Sequence, residues 1–235
     1  MAPANRAVRS EPDVMNVLAS PRQRLSVEVV YDLVCPWCYL GMRRLLRTLR
    51  RRPELLFDVV WRPFLLNPDM PRAGMSRGDY VVRKFGGEER ARRLYASIAE
   101  IGLAEGVAFH FERIRQTPSS VDAHRLVLWA GPRLDTVLVE ALFAAHFSDG
   151  ADIGDAAVLG GIAAGVGLDG AAAERYLRAD AQVELIHAEN LRAHRLGING
   201  VPCFVIGGRH AIAGAQEGEV IERLLDIAVL EAAEA

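Results

Sequence analysis

Cysteine is scarce in this chain: three residues among 235, at positions 35, 38 and 203. So small and odd a number excludes a disulfide scaffold. Excess charge of one sign is also missing, since 28 Lys and Arg stand against 30 Asp and Glu for a formal −2. That balance points to no nucleic-acid partner and no polycationic one. No apolar run reaches the roughly 20 residues of a membrane-spanning helix, so no membrane contact is expected. The stretch MAPANRAVRSEPDVMNVLASPRQR has no continuous apolar segment. It does not read as a secretory signal. Residues 1–24 are therefore expected to be a flexible lead-in, and the protein to act in the cytoplasm. Internal repeats are absent, as are low-complexity segments apart from alanine-rich helix.

What remains is a chain that is 51% hydrophobic, enough to bury a sizeable core. Leu25 to Val34 (LSVEVVYDLV) is rich in β-branched residues and reads as a mostly buried strand. A helix should follow, with Cys38, Met42, Leu45 and Leu49 on its apolar side. Arg43, Arg44, Arg47 and Arg50 fall opposite and predict a solvated face. Leu55 to Trp61 reads as a second strand, and strand–helix–strand implies a right-handed crossover to a parallel neighbour. From about Ser76 to Arg195 the signal is helical, with segments at Glu88–Ile101, Val121–Ala130, Thr136–Phe147, Asp155–Ala164 and Ala171–Arg195. Strand character returns in Val201–Ile206 and His210–Ala213, joined by Gly207-Gly208 as a hairpin. A last amphipathic helix starts near Glu217 and carries Ile221, Leu224, Leu225 and Ala228 on one face. The order is βαβ, a helical block, then ββα.

Gly165, Gly167 and Gly170 spell the dinucleotide-binding pattern G-x-G-x-x-G. That pattern needs a strand before it, and here a helical segment precedes it. It predicts a helix–helix turn.

Cys35-Pro36-Trp37-Cys38 lies where the first strand gives way to a helix. The start of a helix carries amide N–H groups without partners and the positive end of the dipole. Such a place favours thiolate, the attacking species in disulfide exchange. Pro36 suits the first helical turn, which does not need its N–H. Cys38, one turn on and on the apolar stripe, is expected to be the shielded resolving thiol. A tetrahedral zinc site would need two more ligands at short spacing. Cys203 stands alone and the six histidines form no such cluster, so no metal is expected. His187 and His194 read as decoration of a solvated helix. Gly200-Val201-Pro202 runs straight into the strand that begins at Cys203, and a proline at a strand start is ordinary structure by itself.

Taken together, DLVCPWCYLG, WRPFLLNPDMP, DAHRLVLWA, HFSDGADIGD and GINGVPCFVIGGRHAIAGAQ resemble the cytoplasmic DsbA-like oxidoreductases of the FrnE type. That group is itself similar to 2-hydroxychromene-2-carboxylate isomerase and the kappa-class glutathione transferases. The resemblance runs in order from about Val27 to Leu225. It implies an α/β thioredoxin fold with a large helical insertion between its βαβ and ββα halves. The thioredoxin-like part would span 25–75 and 196–235, and the inserted helical domain 76–195. Residue by residue, the resemblance makes Cys35 the nucleophile, Cys38 the resolving cysteine and Pro202 a cis-proline. Pro36, Trp37 and Val201 would face the substrate, Val201 through its backbone. Gly214, Ala215 and Gln216 fall where glutathione-binding members hold a γ-glutamyl carboxylate at a helix start, a natural anion site. The same three residues also suit a plain helix cap.

There are departures. Ser119-Ser120 stands where the family often has Asn-Thr, and Cys203 where an aromatic or hydroxyl residue is commoner. Cys203 reads as a small buried hydrophobe, with a third redox thiol as the alternative. Asp32 stands to assist proton transfer from Cys38 or to fix the strand end through hydrogen bonds. The resulting expectation is a cytosolic dithiol–disulfide oxidoreductase that uses the Cys-Pro-Trp-Cys pair on protein or small-molecule disulfides. It needs no resident cofactor, and glutathione is its candidate redox partner. The rival readings are a glutathione-dependent isomerase or transferase, and a polypeptide-binding chaperone without enzymatic activity.

Overall fold

The computed structural model describes residues 23–234, so the lead-in expected over 1–24 lies outside the described residues except for its last two. The chain runs β1 (Arg24–Tyr31), α1 (Pro36–Arg50), β2 (Leu56–Pro63), a helical segment, β5 (Cys203–Ile206), β6 (His210–Ala213) and α9 (Gly218–Glu234). The sheet order is β2-β1-β5-β6. β1 pairs parallel with β2, with Val27 opposite Val59, and antiparallel with β5, with Val29 opposite Phe204. This is the expected βαβ and ββα arrangement around an inserted block of helices.

The first strand is shorter than the sequence predicts. It ends at Tyr31 rather than Val34, because the chain turns at Asp32. The Asp32 carbonyl accepts from the Cys35 amide at 3.0 Å, and its carboxylate accepts from Val34 and Leu66 amides at 3.3 and 2.7 Å. That turn releases the chain from the sheet three residues early, and α1 starts immediately after it.

On one side of the sheet Val27, Val29, Tyr31, Phe204 and Ile206 share a core with Leu40, Met42 and Leu45 of α1 and Ile221, Leu225 and Ala228 of α9. The same cluster continues into the helical segment through Ala123, Leu126, Leu138 and Phe143, so sheet and insertion share one core. On the other side Val30 and Cys203 pack with Phe64 and Ala193.

The insertion holds β3 (Met75–Ser76), α2 (Arg77–Phe85), α3 (Glu88–Ala104), β4 (Gln116–Thr117), α4 (Val121–Ala130), α5 (Asp135–Ala144), α6 (Ala156–Gly165), α7 (Gly170–Arg178) and α8 (Val183–Arg195). The Gly165, Gly167 and Gly170 pattern is the turn between α6 and α7, as expected. Its last glycine serves packing: a Cβ on Gly170 would stand 2.5 Å from the Gly160 carbonyl oxygen.

Two expectations need correction. The single helix predicted for Ala171–Arg195 is broken into α7 and α8. Arg125, fully buried, donates to the carbonyls of Tyr176, Leu177, Ala179 and Ala181 at 3.1, 3.2, 2.5 and 2.7 Å. Several of these oxygens are ones a continuing helix would use. The second correction is the arginine face of α1. Of its four arginines only Arg50 is exposed. Arg43 pairs with Glu140 of α5. Arg44 reaches Glu105 at 2.6 Å, Glu217 at 2.8 Å and the Ala215 carbonyl at 2.7 Å, and Arg47 reaches Glu105 at 2.7 Å. Burial alone would raise the Glu105 carboxyl, but the Arg44 and Arg47 guanidinium groups outweigh it and hold it below the usual range. This face is an anchor rather than a solvated surface.

Arg125 also pairs with the buried Asp122 at 2.5 Å. Its removal strands that carboxylate and the carbonyls together, and breaking a buried pair from one side costs about 3–5 kcal/mol. Arg125→Met is expected to lose that much in urea unfolding. A loss below about 1 kcal/mol would show that the α7–α8 break stands without it.

Candidate active site

The Asp32 turn delivers Cys35 to the start of α1 in an extended conformation, φ −101° and ψ 112°. Pro36 occupies the first helical turn, and the amides of Cys38 and Tyr39 close onto the Cys35 carbonyl at 3.0 and 3.3 Å. No acidic side chain sits in that first turn. Trp37 points outward with 37% exposure, whereas Cys35 is 4% and Cys38 1% exposed. All three cysteines are free thiols. Burial pushes the Cys38 thiol well above its ordinary value. Its hydrogen bond to Cys35 and the charges of Cys35 and Asp32 push the same way, opposed only in part by the Asp32 backbone.

The Val201–Pro202 peptide bond is cis. The Val201 carbonyl lies 3.8 Å from Cys35 Sγ, so residues predicted from two distant motifs meet here. Contact between α1 and this loop is close at Gly41. A Cβ there would stand 2.8 Å from Pro202 Cγ and 3.1 Å from Phe204 Cζ, so helix and loop approach this nearly only over a glycine.

Gly214, Ala215 and Gln216 are held next to that loop. The Gly214 amide donates to the Pro202 carbonyl at 2.7 Å, the Ala215 carbonyl accepts from Arg44, and Gln216 Nε2 donates to the Ala213 carbonyl at 2.6 Å. They stop short of the helix. The Glu217 carbonyl accepts from the Val220 and Ile221 amides at 3.1 and 3.3 Å, so α9 is entered at Glu217, whose own carboxylate faces Arg44. Cys203 lies across the sheet from the Cys35–Cys38 pair, 4% exposed among Val30, Phe64 and Ala193, and burial pushes its thiol up. His194 is exposed and packs its ring 5.0 Å from that of Phe64. Among the described residues no group of three His, Cys, Asp or Glu side chains is placed to hold a metal ion.

Several residues near the site went unnoticed in the sequence. Tyr80 of α2 is one: burial pushes its hydroxyl up, and the charges of Asp32 and Cys35 add to the effect. It lines a cavity of about 240 Å³ together with Leu66, Asn67, Arg83 and Lys84. A signal for α2 was present. Ser76 and Asp79 form a helix-start box, the Ser76 hydroxyl accepting from the Asp79 amide at 3.1 Å. His124 of α4, within the DAHRLVLWA segment, is another. It is fully buried behind Asp32, with Nε2 3.6 Å from Oδ1, just beyond hydrogen-bond reach. Ser119 and Ser120 form the turn into the same helix, both buried. His146 is a third, in a π-helical turn (Ala145–Asp149) after α5. Burial pushes its imidazole down to about 4.

The DSBA-like thioredoxin domain family matches residues 26–226. A probable DsbA oxidoreductase from Streptomyces coelicolor is 30% identical, with a TM-score of 0.79 over 88% of this chain and 91% of that one. The cytosolic disulfide reductase DsbM from Pseudomonas aeruginosa, solved with GSH, is 20% identical, with a TM-score of 0.59 over 89% of this chain and 98% of that one. A 2-hydroxychromene-2-carboxylate isomerase is 14% identical, with a TM-score of 0.64 over 89% and 98%. The last two share the fold. No curated protein sequence matches. A family match across most of the chain, and a 30%-identical relative covered almost end to end, establish that this protein belongs to the DSBA-like thioredoxin domain family of oxidoreductases.

Proposed function

We propose that this protein is a cytosolic dithiol–disulfide oxidoreductase whose redox pair is Cys35 and Cys38. The observation that carries the reading is the opposition of Cys35 at the helix start to the Val201 carbonyl, 3.8 Å away, with Cys38 buried one turn behind. In this reading the Cys35 thiolate attacks one sulfur of a substrate disulfide, the substrate S–S bond breaks with the other sulfur leaving as thiolate, and a mixed disulfide forms. Cys38 then attacks Cys35 Sγ, the second substrate sulfur leaves as a thiol, and the enzyme holds the disulfide. Val201 and Pro202 border the substrate, with Pro36 and Trp37 on the opposite side. Substrates are proteins or small molecules that carry disulfides. Glutathione is a fitting redox partner: the cavity beside Tyr80 carries Arg83 and Lys84, cations suited to its carboxylates. The neighbouring structure solved with GSH supports the same choice.

The division of roles has a direct test. At pH 6 the Cys38 thiol, raised by burial, stays protonated and shielded. Iodoacetamide is therefore expected to label Cys35 first. Cys35→Ser abolishes insulin reduction, whereas Cys38→Ser still attacks and accumulates mixed disulfides. Preferential labelling of Cys38 would overturn the assignment.

The second reading, a glutathione-dependent isomerase or transferase, is favoured by the fold shared with 2-hydroxychromene-2-carboxylate isomerase. Such an enzyme holds the tripeptide without a covalent bond, near Gly214, Ala215 and Gln216. Here the carboxylate of Glu217 already faces Arg44 at that place, which disfavours a second carboxylate. Calorimetry of the Cys35→Ser/Cys38→Ser protein with reduced glutathione separates the two. Weak or undetectable binding is expected. Micromolar affinity, about −8 kcal/mol, would move the assignment to the isomerase reading.

A further inference from the structure

Arginines of this protein that leave the solvent take a carboxylate with them. Among the described residues Arg43, Arg44, Arg47, Arg52, Arg62 and Arg125 are partly or fully buried, and each has one in ion-pair contact. Arg77, the first residue of α2, is the half-buried arginine that departs from this pattern. Its Nη1 donates to the Thr117 hydroxyl at 3.2 Å. Its guanidinium carbon lies 4.8 Å from the centre of the Tyr95 ring and 5.5 Å from that of Tyr80. Hydroxyl and rings hold the group in place, but they leave its charge without a counterion. A guanidinium has five N–H donors, and one hydroxyl takes up only one of them.

The backbone fixes where that charge stands. β3 pairs with β4, and the Arg77 amide donates to the Arg115 carbonyl at 3.0 Å. The start of α2 is therefore pinned. α2 and α3, joined by Gly86-Gly87, pack against each other. Between them and the Phe111–Arg113 turn lies a cavity of about 680 Å³, with Arg77 in its wall. That is a volume in the range of small-molecule sites. The rest of the lining is mostly apolar: Val81 of α2, Ala96 and Ala99 of α3, and the rings of Tyr95, Phe109 and Phe111. The rings form a column, Tyr95 on Phe111 at 4.4 Å and Phe111 on Phe109 at 5.1 Å, both near parallel. Short side chains on α3 leave the space in front of it open.

α2 is a wall shared by two cavities. Tyr80, Arg83 and Lys84 face the one beside the redox pair, while Arg77, Gly78 and Val81 face this one, and the two linings have no residue in common. The lining here also includes three carboxylates, Glu88, Glu89 and Glu112. Glu89 pairs with Arg92 at 2.6 Å, and Glu112 meets His110 at 3.1 Å. They repel a ligand with several negative charges, such as glutathione or a nucleotide. What the walls admit is one anionic group, at Arg77, on an otherwise apolar body.

We propose that the cavity between α2, α3 and the Phe111–Arg113 turn binds a small apolar monocarboxylate, its carboxylate held by Arg77 and its hydrocarbon body covered by the ring column and the α3 alanines. The ligand supplies the counterion that Arg77 lacks and shields apolar surface that otherwise faces water. The site is separate from the redox pair and does not depend on the oxidoreductase reading.

Calorimetry of the reduced full chain with octanoate reads this directly. One octanoate per chain is expected to bind. Octanol, the same body without the charge, should bind at least about tenfold more weakly, the scale of a charge-assisted hydrogen bond. Arg77→Met should weaken octanoate by the same factor and leave octanol unchanged. Ala96→Trp fills the space and should abolish binding of both. Reduced glutathione should not displace octanoate, and the Cys35→Ser/Cys38→Ser protein should bind it as the wild type does. No binding, equal affinity for octanoate and octanol, affinity untouched by folded Ala96→Trp, or displacement by glutathione would each overturn the proposal. Because the cavity variants can fail to fold, the native protein is followed by NMR as well. Octanoate should shift the ring resonances of Tyr95 and Phe111 and leave the indole of Trp37, beside the redox pair, unmoved. Shifts centred on Trp37 instead would overturn the site without touching the redox assignment.

Discussion

The close approach of α1 to the Pro202 loop is the constraint on which the site depends. Gly41 has no side chain, and a single added carbon would meet Pro202 Cγ at 2.8 Å. With that carbon absent, the start of the helix settles against the loop, and Cys35 Sγ comes within 3.8 Å of the Val201 carbonyl. The same loop is held from below, since the Gly214 amide donates to the Pro202 carbonyl at 2.7 Å. Arg44, one helical turn beyond Gly41, then ties α1 to Ala215 and Glu217. Helix, loop and the start of α9 are thereby locked at three successive points along one line. A buried cluster of hydrophobic side chains holds such parts together but leaves them free to slide by fractions of an ångström. Directional contacts to backbone atoms do not.

Polar burial is the second theme. Asp32, Arg125 and His124 are all fully buried, and Arg44 nearly so. For three of them the structure supplies compensation. Asp32 takes two amides, Arg125 takes four carbonyls and a carboxylate, and Arg44 takes two carboxylates and a carbonyl. His124 is the exception. An unsatisfied buried polar group costs about 1–3 kcal/mol, and among these four side chains only His124, behind Asp32, carries that cost.

The sequence carried much of this, and the reasons are local. Two strands with β-branched runs, a helix with a regular apolar stripe and a Gly-Gly hairpin are written in neighbouring residues, so the order of the fold was readable. Cys35, Cys38 and the Val201-Pro202 step were readable because each belongs to a compact motif. What escaped was decided by distance along the chain. Nothing near Tyr176 announces that Arg125, far upstream, will take its carbonyl and break the helix. The α1 arginines look solvated until α3 and α5 bring Glu105 and Glu140 to them. Tyr80 sits on a nine-residue helix in which three basic side chains and an aspartate blur the apolar pattern. His124 is one of six histidines, and only the fold sets it behind Asp32.

The third cysteine shows how the strand period protects the chemistry. Cys203 follows Pro202 directly, yet successive side chains of a strand point to opposite faces. Pro202 and Phe204 lean on α1, while Cys203 turns away to Val30, Phe64 and Ala193. The sheet therefore stands between this thiol and the other two, and a disulfide between Cys203 and either of them would require the strand to flip. Access from outside is restricted as well, since Cys35 is 4% exposed and Trp37 is the open part of the motif. A globular surface cannot reach a sulfur so placed. An extended segment laid along Val201 between that strand end and Trp37 can, because its backbone is narrow and its groups match the free edge of the loop. On the oxidoreductase reading, flexible or small disulfide substrates are the ones that suit a site of this shape.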